Sequence, residues 1–287
     1  MKSLRQKMID AMQLRGFSPR THTSYLAAIR DLAKHYHQSP DQLNQDQLQA
    51  YLLSLIQERG LSASSCRLSL NAIHFLWMKV LERGEFKVKL IAPKRPQRIP
   101  ELLTIDEVAR IIAACNKHRD RVLLSTCYGC GLRVSELVAL KVRHIDGRPR
   151  LLRIEQAKGA KDRYVRLSER LLSRLRDYWR AYRPREWLFS SQYYEQRTPI
   201  TITTAQKIFT AAKNKAEIKK IGGIHSLRHA YATHQLSQGM PIQELQKMLG
   251  HSDIRSTLHY LHWVPQYQAC DHYADLIAAL EEVSDEH

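Results

Sequence analysis

The sequence predicts a mainly helical, two-domain protein with one small antiparallel sheet, an α+β fold in which helices dominate. Three observations predict it. Apolar residues recur three and four apart through most of the 287 residues, the spacing that lines one face of a helix. A stretch rich in proline, lysine and arginine interrupts that pattern between residues 85 and 100, as a linker does. Only near residues 140–167 does the apolar period shorten to that of strands.

In the first half, Leu4, Met8 and Met12 define a first helix. Ser18-Pro19 offers an N-cap hydroxyl followed by a first-turn proline, and Tyr25, Ile29, Leu32 and Tyr36 then share a face. A third helix carries Leu48, Tyr51, Leu52 and Leu55; a fourth starts at Ser62 with Cys66, Leu70, Ile73, Trp77 and Leu81 inward. Short connections between them imply an antiparallel bundle over residues 1–84. Pro93, Pro96 and Pro100 forbid a helix across the next segment, where Lys87, Lys89, Lys94, Arg95 and Arg98 crowd together. Residues 85–100 therefore read as an extended basic linker.

The second domain, residues 101–287, opens with Thr104-Ile105-Asp106-Glu107, a capping box. A helix is expected from there to about Asn116 and another from about Arg121. Leu151–Ile154 and Tyr164–Leu167 flank the turn cluster Lys158-Gly159-Ala160-Lys161-Asp162, which predicts a hairpin with a lysine at its tip. Helical spacing returns at Leu171, Leu172, Leu175, Tyr178 and Trp179, and again after Thr204, Ser226, Pro241 and Ser252. A last amphipathic stretch covers roughly Asp271–Val283.

Composition narrows the function. Lysine and arginine outnumber aspartate and glutamate 45 to 28, a formal charge of +17, and both halves are net positive. With 44% hydrophobic residues the chain is no disordered basic tail, so a folded protein facing a polyanion is expected, nucleic acid foremost. No apolar run reaches the ~18 residues of a membrane span, and no apolar leader precedes the first helix. Five cysteines form a sparse, odd set that fits reduced thiols in a cytoplasmic protein.

Four clusters bear chemistry: Arg133 within Gly131–Leu137, Lys158 at the hairpin tip, His225-Ser226-Leu227-Arg228-His229, and Leu249-Gly250-His251 followed by Tyr260. His225 and Arg228, three apart at a helix start, share a face and suit one anion. Taken singly, each residue also fits a bland role: a surface arginine, a turn lysine, a solvated histidine, a half-buried tyrosine. Cys127-x-x-Cys130 and His225-x-x-x-His229 have the internal spacings of a zinc finger, but about a hundred residues separate the pairs, against ~12–15 in that motif. No metal site is expected. The second half lacks paired carboxylates at catalytic spacing and a phosphate-binding Gly-x-x-x-x-Gly-Lys loop, which argues against a two-metal nuclease and against ATP use.

In identity, order and spacing these clusters resemble the tyrosine recombinases, or phage-type integrases, especially their Xer-like and integron-integrase branch. The likeness spans essentially the whole chain. It is most specific in Tyr128–Leu140, similar to the family's first arginine box, and in Ile224–His262, similar to its second, with Tyr260 nine residues after His251. The stretch from Tyr178 to Ile224 is short for the extra segment of integron integrases, so a general Xer-like integrase is expected.

The resemblance implies a SAM-like core-binding bundle and a catalytic domain that clamp duplex DNA. Tyr260 becomes the nucleophile that forms a 3′-phosphotyrosine. Arg133 and Arg228 hold the phosphate oxygens, His225 acts as general base, Lys158 as general acid, and His251 hydrogen-bonds the phosphate, with Glu136 in support. Lys87, Lys89, Lys94, Arg95 and Arg98 of the linker and Lys161 and Arg163 of the hairpin are expected to contact DNA. It further implies no cofactor, a tetrameric synapse and a Holliday junction. The final amphipathic segment then packs on a neighbouring protomer or on its own core. Two rival functions share these residues: a catalytically silent DNA-binding accessory protein, and a topoisomerase- or resolvase-like strand transferase.

Overall fold

The computed structural model describes residues 3–88, 101–157, 161–191, 198–261 and 263. The chain divides into two compact units, Met1–Arg98 and Ile99–His287. The first contains helices α1 (Leu4–Gln13), α2 (Pro19–Tyr36), α3 (Gln45–Gln57) and α4 (Ala63–Phe75). Ser3, Ser18, Asn44 and Ser62 cap them, each side chain accepting a first-turn amide, which satisfies donors that a helix start leaves without partners. Met8, Met12, Leu32, Leu52, Leu55, Cys66 and Ile73 form the core.

The fourth helix departs from its expected course. It passes into a π-helical turn over Leu76–Val80, whose extra residue per turn advances the following side chains around the axis. Trp77 is buried there, donating its indole N–H to the Gly84 carbonyl at 3.1 Å. The Arg83 guanidinium covers the ring at 4.7 Å and donates to the carbonyls of Leu43 and Asp41. Phe86 packs against His74 and Trp77, and Val88 is buried. The first residues of the expected linker thus still pack on the bundle, as far as Val88.

The second unit contains α5 (Ile105–Ala113), α6 (His118–Gly129), α7 (Val134–Val138), β1 (Ile145–Asp146), β2 (Leu151–Ala157), β3 (Lys161–Arg166), α8 (Glu169–Tyr182), α9 (Ile202–Lys215), α10 (His225–Ser237), α11 (Ile242–Leu249) and α12 (Arg255–Leu261). The Thr104 capping box forms, and Lys220 seals it from outside through Glu107 at 2.6 Å. Helix α6 starts at His118, ahead of the expected Arg121. Val122 to Cys127 are all buried, so the helix lacks the two-sided pattern that marks a start from sequence.

The sheet runs β1-β2-β3, antiparallel throughout, with Leu152 opposite Val165 and Ile154 opposite Arg163. Alternation buries Leu152, Ile154 and Val165 and leaves Tyr164 exposed. Arg163 thus shares the inward face with Val165. The two-residue β1 was not foreseen; it is too short to carry a period.

Helix α6 ends at Cys130 and Gly131, with Gly131 at φ +59°. A Cβ there would lie 2.4 Å from the Tyr231 ring. Gly131→Ala is therefore expected to destabilise the second unit by about 2–4 kcal/mol through backbone strain and overpacking. Urea unfolding followed by circular dichroism checks this; a loss below 1 kcal/mol would contradict the close approach.

Candidate active site

Two helix ends build the site. The left-handed Gly131 turns the chain out of α6 and delivers Arg133 to the N-cap of α7, and Gly250, at φ +64°, closes the end of α11. The last carbonyls of a helix lack intrahelical donors and carry partial negative charge. Here they accept from guanidiniums. Arg228 donates to Gly131 O at 2.7 Å and Leu249 O at 2.8 Å. Arg133 reaches Leu249 O and Gly250 O at 3.3 and 3.5 Å. Arg163 donates from Nε to Met248 O at 2.9 Å.

Glu136 ties the three arginines together. Its carboxylate accepts both Arg163 Nη atoms at 2.8 Å and Arg133 Nη1 at 2.8 Å, and it also accepts the Arg133 backbone N–H, while Arg228 Nη1 stands at 3.8 Å. Burial pushes the carboxyl pKa up, but the hydrogen bonds and charge of Arg163 and Arg133 outweigh it and hold the group at about 2. Arg228 is buried, and desolvation with the neighbouring Arg133 charge lowers it to about 10. It stays charged at neutral pH. Three guanidiniums against one carboxylate leave the pocket positive.

His251 bridges this cluster to the tyrosine. Its Nε2 lies 3.0 Å from Arg228 Nη2 and its Nδ1 2.8 Å from Thr257 Oγ1. A guanidinium only donates, so Nε2 presents its lone pair and Nδ1 carries the proton toward the buried threonine. Burial, then Arg228, Arg133 and Arg163, bring the imidazole down to about 4, so it is neutral in this arrangement. Its ring is parallel to that of Tyr260, centroids 6.3 Å apart. Tyr260, only 4% exposed, hydrogen-bonds His229 Nδ1 at 3.1 Å. Burial raises the phenol pKa, and Arg228 and Arg133 oppose that rise.

Of the expected site residues, Arg133, Glu136, Arg228, His251 and Tyr260 come together. His225 is exposed at the head of α10, and its imidazole has no hydrogen-bond partner among the described residues. Its pKa is lowered by its partial cover and by Arg228 and Arg133. Arg163 is a correction: expected to face DNA, it is buried against Glu136, on the side of β3 that its alternation with Val165 dictates. Lys87 is exposed beside Glu85. Lys89, Lys94, Arg95, Arg98, Lys158 and the side chain of Lys161 lie outside the described residues, as does the segment 271–283. Cys127 and Cys130 are buried, and desolvation pushes both thiols up to about 12. Sequence reasoning gave no role to His229 or Thr257; His229 lies one helical turn beyond His225, a spacing that puts both on one face.

Removing the Glu136 charge leaves buried guanidiniums without their counter-ion. Glu136→Gln is expected to cost the second unit about 3–5 kcal/mol. Because the native pKa is depressed, the carboxylate's stabilisation is complete above the ordinary value of 4.5 and is lost as pH falls toward about 2. Stability measured against pH should therefore be flatter over that interval in the variant; an equally steep fall would place the acid sensitivity elsewhere.

Residues 101–266 match the phage integrase family, and residues 4–84 match the phage integrase N-terminal SAM-like domain. A protein of Sinorhizobium fredii described as an integrase/recombinase is 38% identical over 262 residues, covering 91% of this chain and 84% of the relative. The tyrosine recombinase XerA of Pyrococcus furiosus is 32% identical over 213 residues, 72% of this chain and 73% of its own. The solved structure of the XerH site-specific recombinase superposes with a TM-score of 0.72 over 92% of this chain and 82% of its own, at 19% identity, a likeness of fold. Among the described residues no helix is long and apolar enough to cross a membrane. The chain belongs to the phage integrase family, the tyrosine recombinases that break and rejoin DNA.

Proposed function

We propose that this protein is a site-specific recombinase that cuts and rejoins duplex DNA through a 3′-phosphotyrosine and a Holliday junction. The observation that carries the reading is the convergence, at the ends of α6 and α11, of Arg133, Arg228 and His251 on the Tyr260 phenol. A phosphodiester in that pocket meets two guanidiniums suited to its non-bridging oxygens, and their charge grows in value as the pentacoordinate transition state gains negative charge. The phosphotyrosine keeps the energy of the broken bond, so rejoining needs no nucleotide. His225, exposed at the head of α10, suits a phosphate oxygen, and Lys158, between β2 and β3 in the sequence, supplies a proton to the leaving 5′ oxygen.

The XerH neighbour was solved bound to a palindromic difH substrate in a post-cleavage complex, which supports DNA as the partner here. The bundle (residues 1–84) and the catalytic domain (101–287), joined by the basic stretch at 85–100, clamp the duplex, and four protomers form the synapse in the cytoplasm. The +17 charge supports such an extended phosphate footprint.

A duplex nicked near the site recovered by selection from a random pool tests the reading, since it traps the covalent adduct. Wild-type protein should accumulate it and Tyr260→Phe should form none; an adduct from that variant would reject the assigned nucleophile. Lys158→Ala should slow cleavage about 100-fold or more on a normal 5′-oxygen leaving group and far less on a 5′-sulfur one, which needs little protonation. Equal slowing on both substrates would remove the lysine from acid catalysis.

A further inference from the structure

The arginines do not solve one part of the reaction, the fate of the phenolic proton. Tyr260 is protonated at neutral pH and must lose that proton as its oxygen attacks phosphorus. The Tyr260 hydroxyl is hydrogen-bonded to His229, with Nδ1 3.1 Å from Oη. We propose that His229 is the general base of DNA cleavage, taking the Tyr260 proton on Nδ1, the role expected of His225. The proposal rests on the recombinase reading above and deepens it.

With the imidazole proton on Nε2, the Tyr260 O–H donates to Nδ1. The Trp263 ring stands edge-on to both partners, 5.3 Å from Tyr260 and 6.0 Å from His229, and holds the pair in register. His229 follows Arg228 directly on the buried helix α10, so one element sets the phosphate clamp and the proton acceptor together. His225, one turn earlier, is exposed and has no hydrogen-bond partner among the described residues. Burial, and after it the neighbouring His225 and Arg228, lower the His229 pKa and so favour the neutral imidazole that a base requires.

In the step itself the Tyr260 Oη–phosphorus bond forms, the bond from phosphorus to the 5′ oxygen breaks, and the phenolic proton passes to His229 Nδ1. The 5′ oxygen takes a proton from a general acid, Lys158 in the reading above. Rejoining reverses both transfers. A phenol is a much weaker acid than an imidazolium, so proton transfer accompanies attack and does not precede it.

The test replaces Tyr260 with 2,3,5-trifluorotyrosine, a phenol that ionises near neutral pH and needs no base, in full-length protein. With the natural tyrosine, His229→Asn should slow single-turnover adduct formation on the nicked duplex by about 100-fold or more while DNA binding persists; the fluorinated phenol should restore most of the rate. An undiminished rate, a loss that fluorination does not repair, or a fluorine rescue specific to His225→Asn would each overturn the proposal. If His229→Asn fails to bind DNA, nitrogen-15 histidine spectra of the unmutated chain decide, because an Nδ1 acceptor requires the proton on Nε2. An Nδ1–H tautomer would refute it. An adduct from Tyr260→Phe would instead sink the recombinase reading itself, a distinguishable failure.

Discussion

The catalytic unit depends on keeping three guanidiniums charged and close together away from water. Like charges at such range repel strongly in a low-dielectric interior, and the protein offsets that repulsion with the Glu136 carboxylate and the carbonyls of two helix ends. Glu136 sits in the first turn of α7, where the helix dipole favours an anion. The arginines meet the negative ends of α6 and α11. Five elements, α6, α7, β3, α10 and α11, are thereby locked to one another, and the guanidiniums are held in place by the protein's own groups. Preorganised charge of this kind needs no reorganisation at the moment of reaction.

The two glycines are the steric side of the same arrangement. Gly131 approaches the Tyr231 ring, and a Cβ on Gly250 would lie 2.9 Å from the Arg163 side chain. Each allows a helix to stop abruptly with its last carbonyls turned toward a guanidinium. Backbone conformation, close packing and electrostatics thus converge on the same few residues, and a change in any one of them is felt by the others.

Much of this was legible in the sequence, for reasons that particular residues make plain. The N-caps Ser18, Ser62 and Thr104 announce their helices, and Arg133, Arg228, His251 and Tyr260 stand in short boxes whose spacing carries their convergence. The inward turn of Arg163 was present in the alternation of β3, yet a charged residue beside a lysine-rich turn reads first as surface. The start of helix α6 is misplaced because Val122–Cys127 are covered on all sides, β1 is missed because two residues hold no period, and the π-turn because a one-residue insertion leaves the local composition unchanged. The link between His229 and Tyr260 joins residues 31 apart through the packing of α10 and α12, which spacing alone does not encode.

The seating of Tyr260 carries a further consequence. Its ring is almost wholly covered, so the packing of α12 against α10 decides whether the phenol meets solvent. Uncovering an aromatic ring costs about 1.5–3 kcal/mol, so the chain by itself exposes the phenol only a small fraction of the time. While α12 stays packed, that cover also keeps water from the hydroxyl.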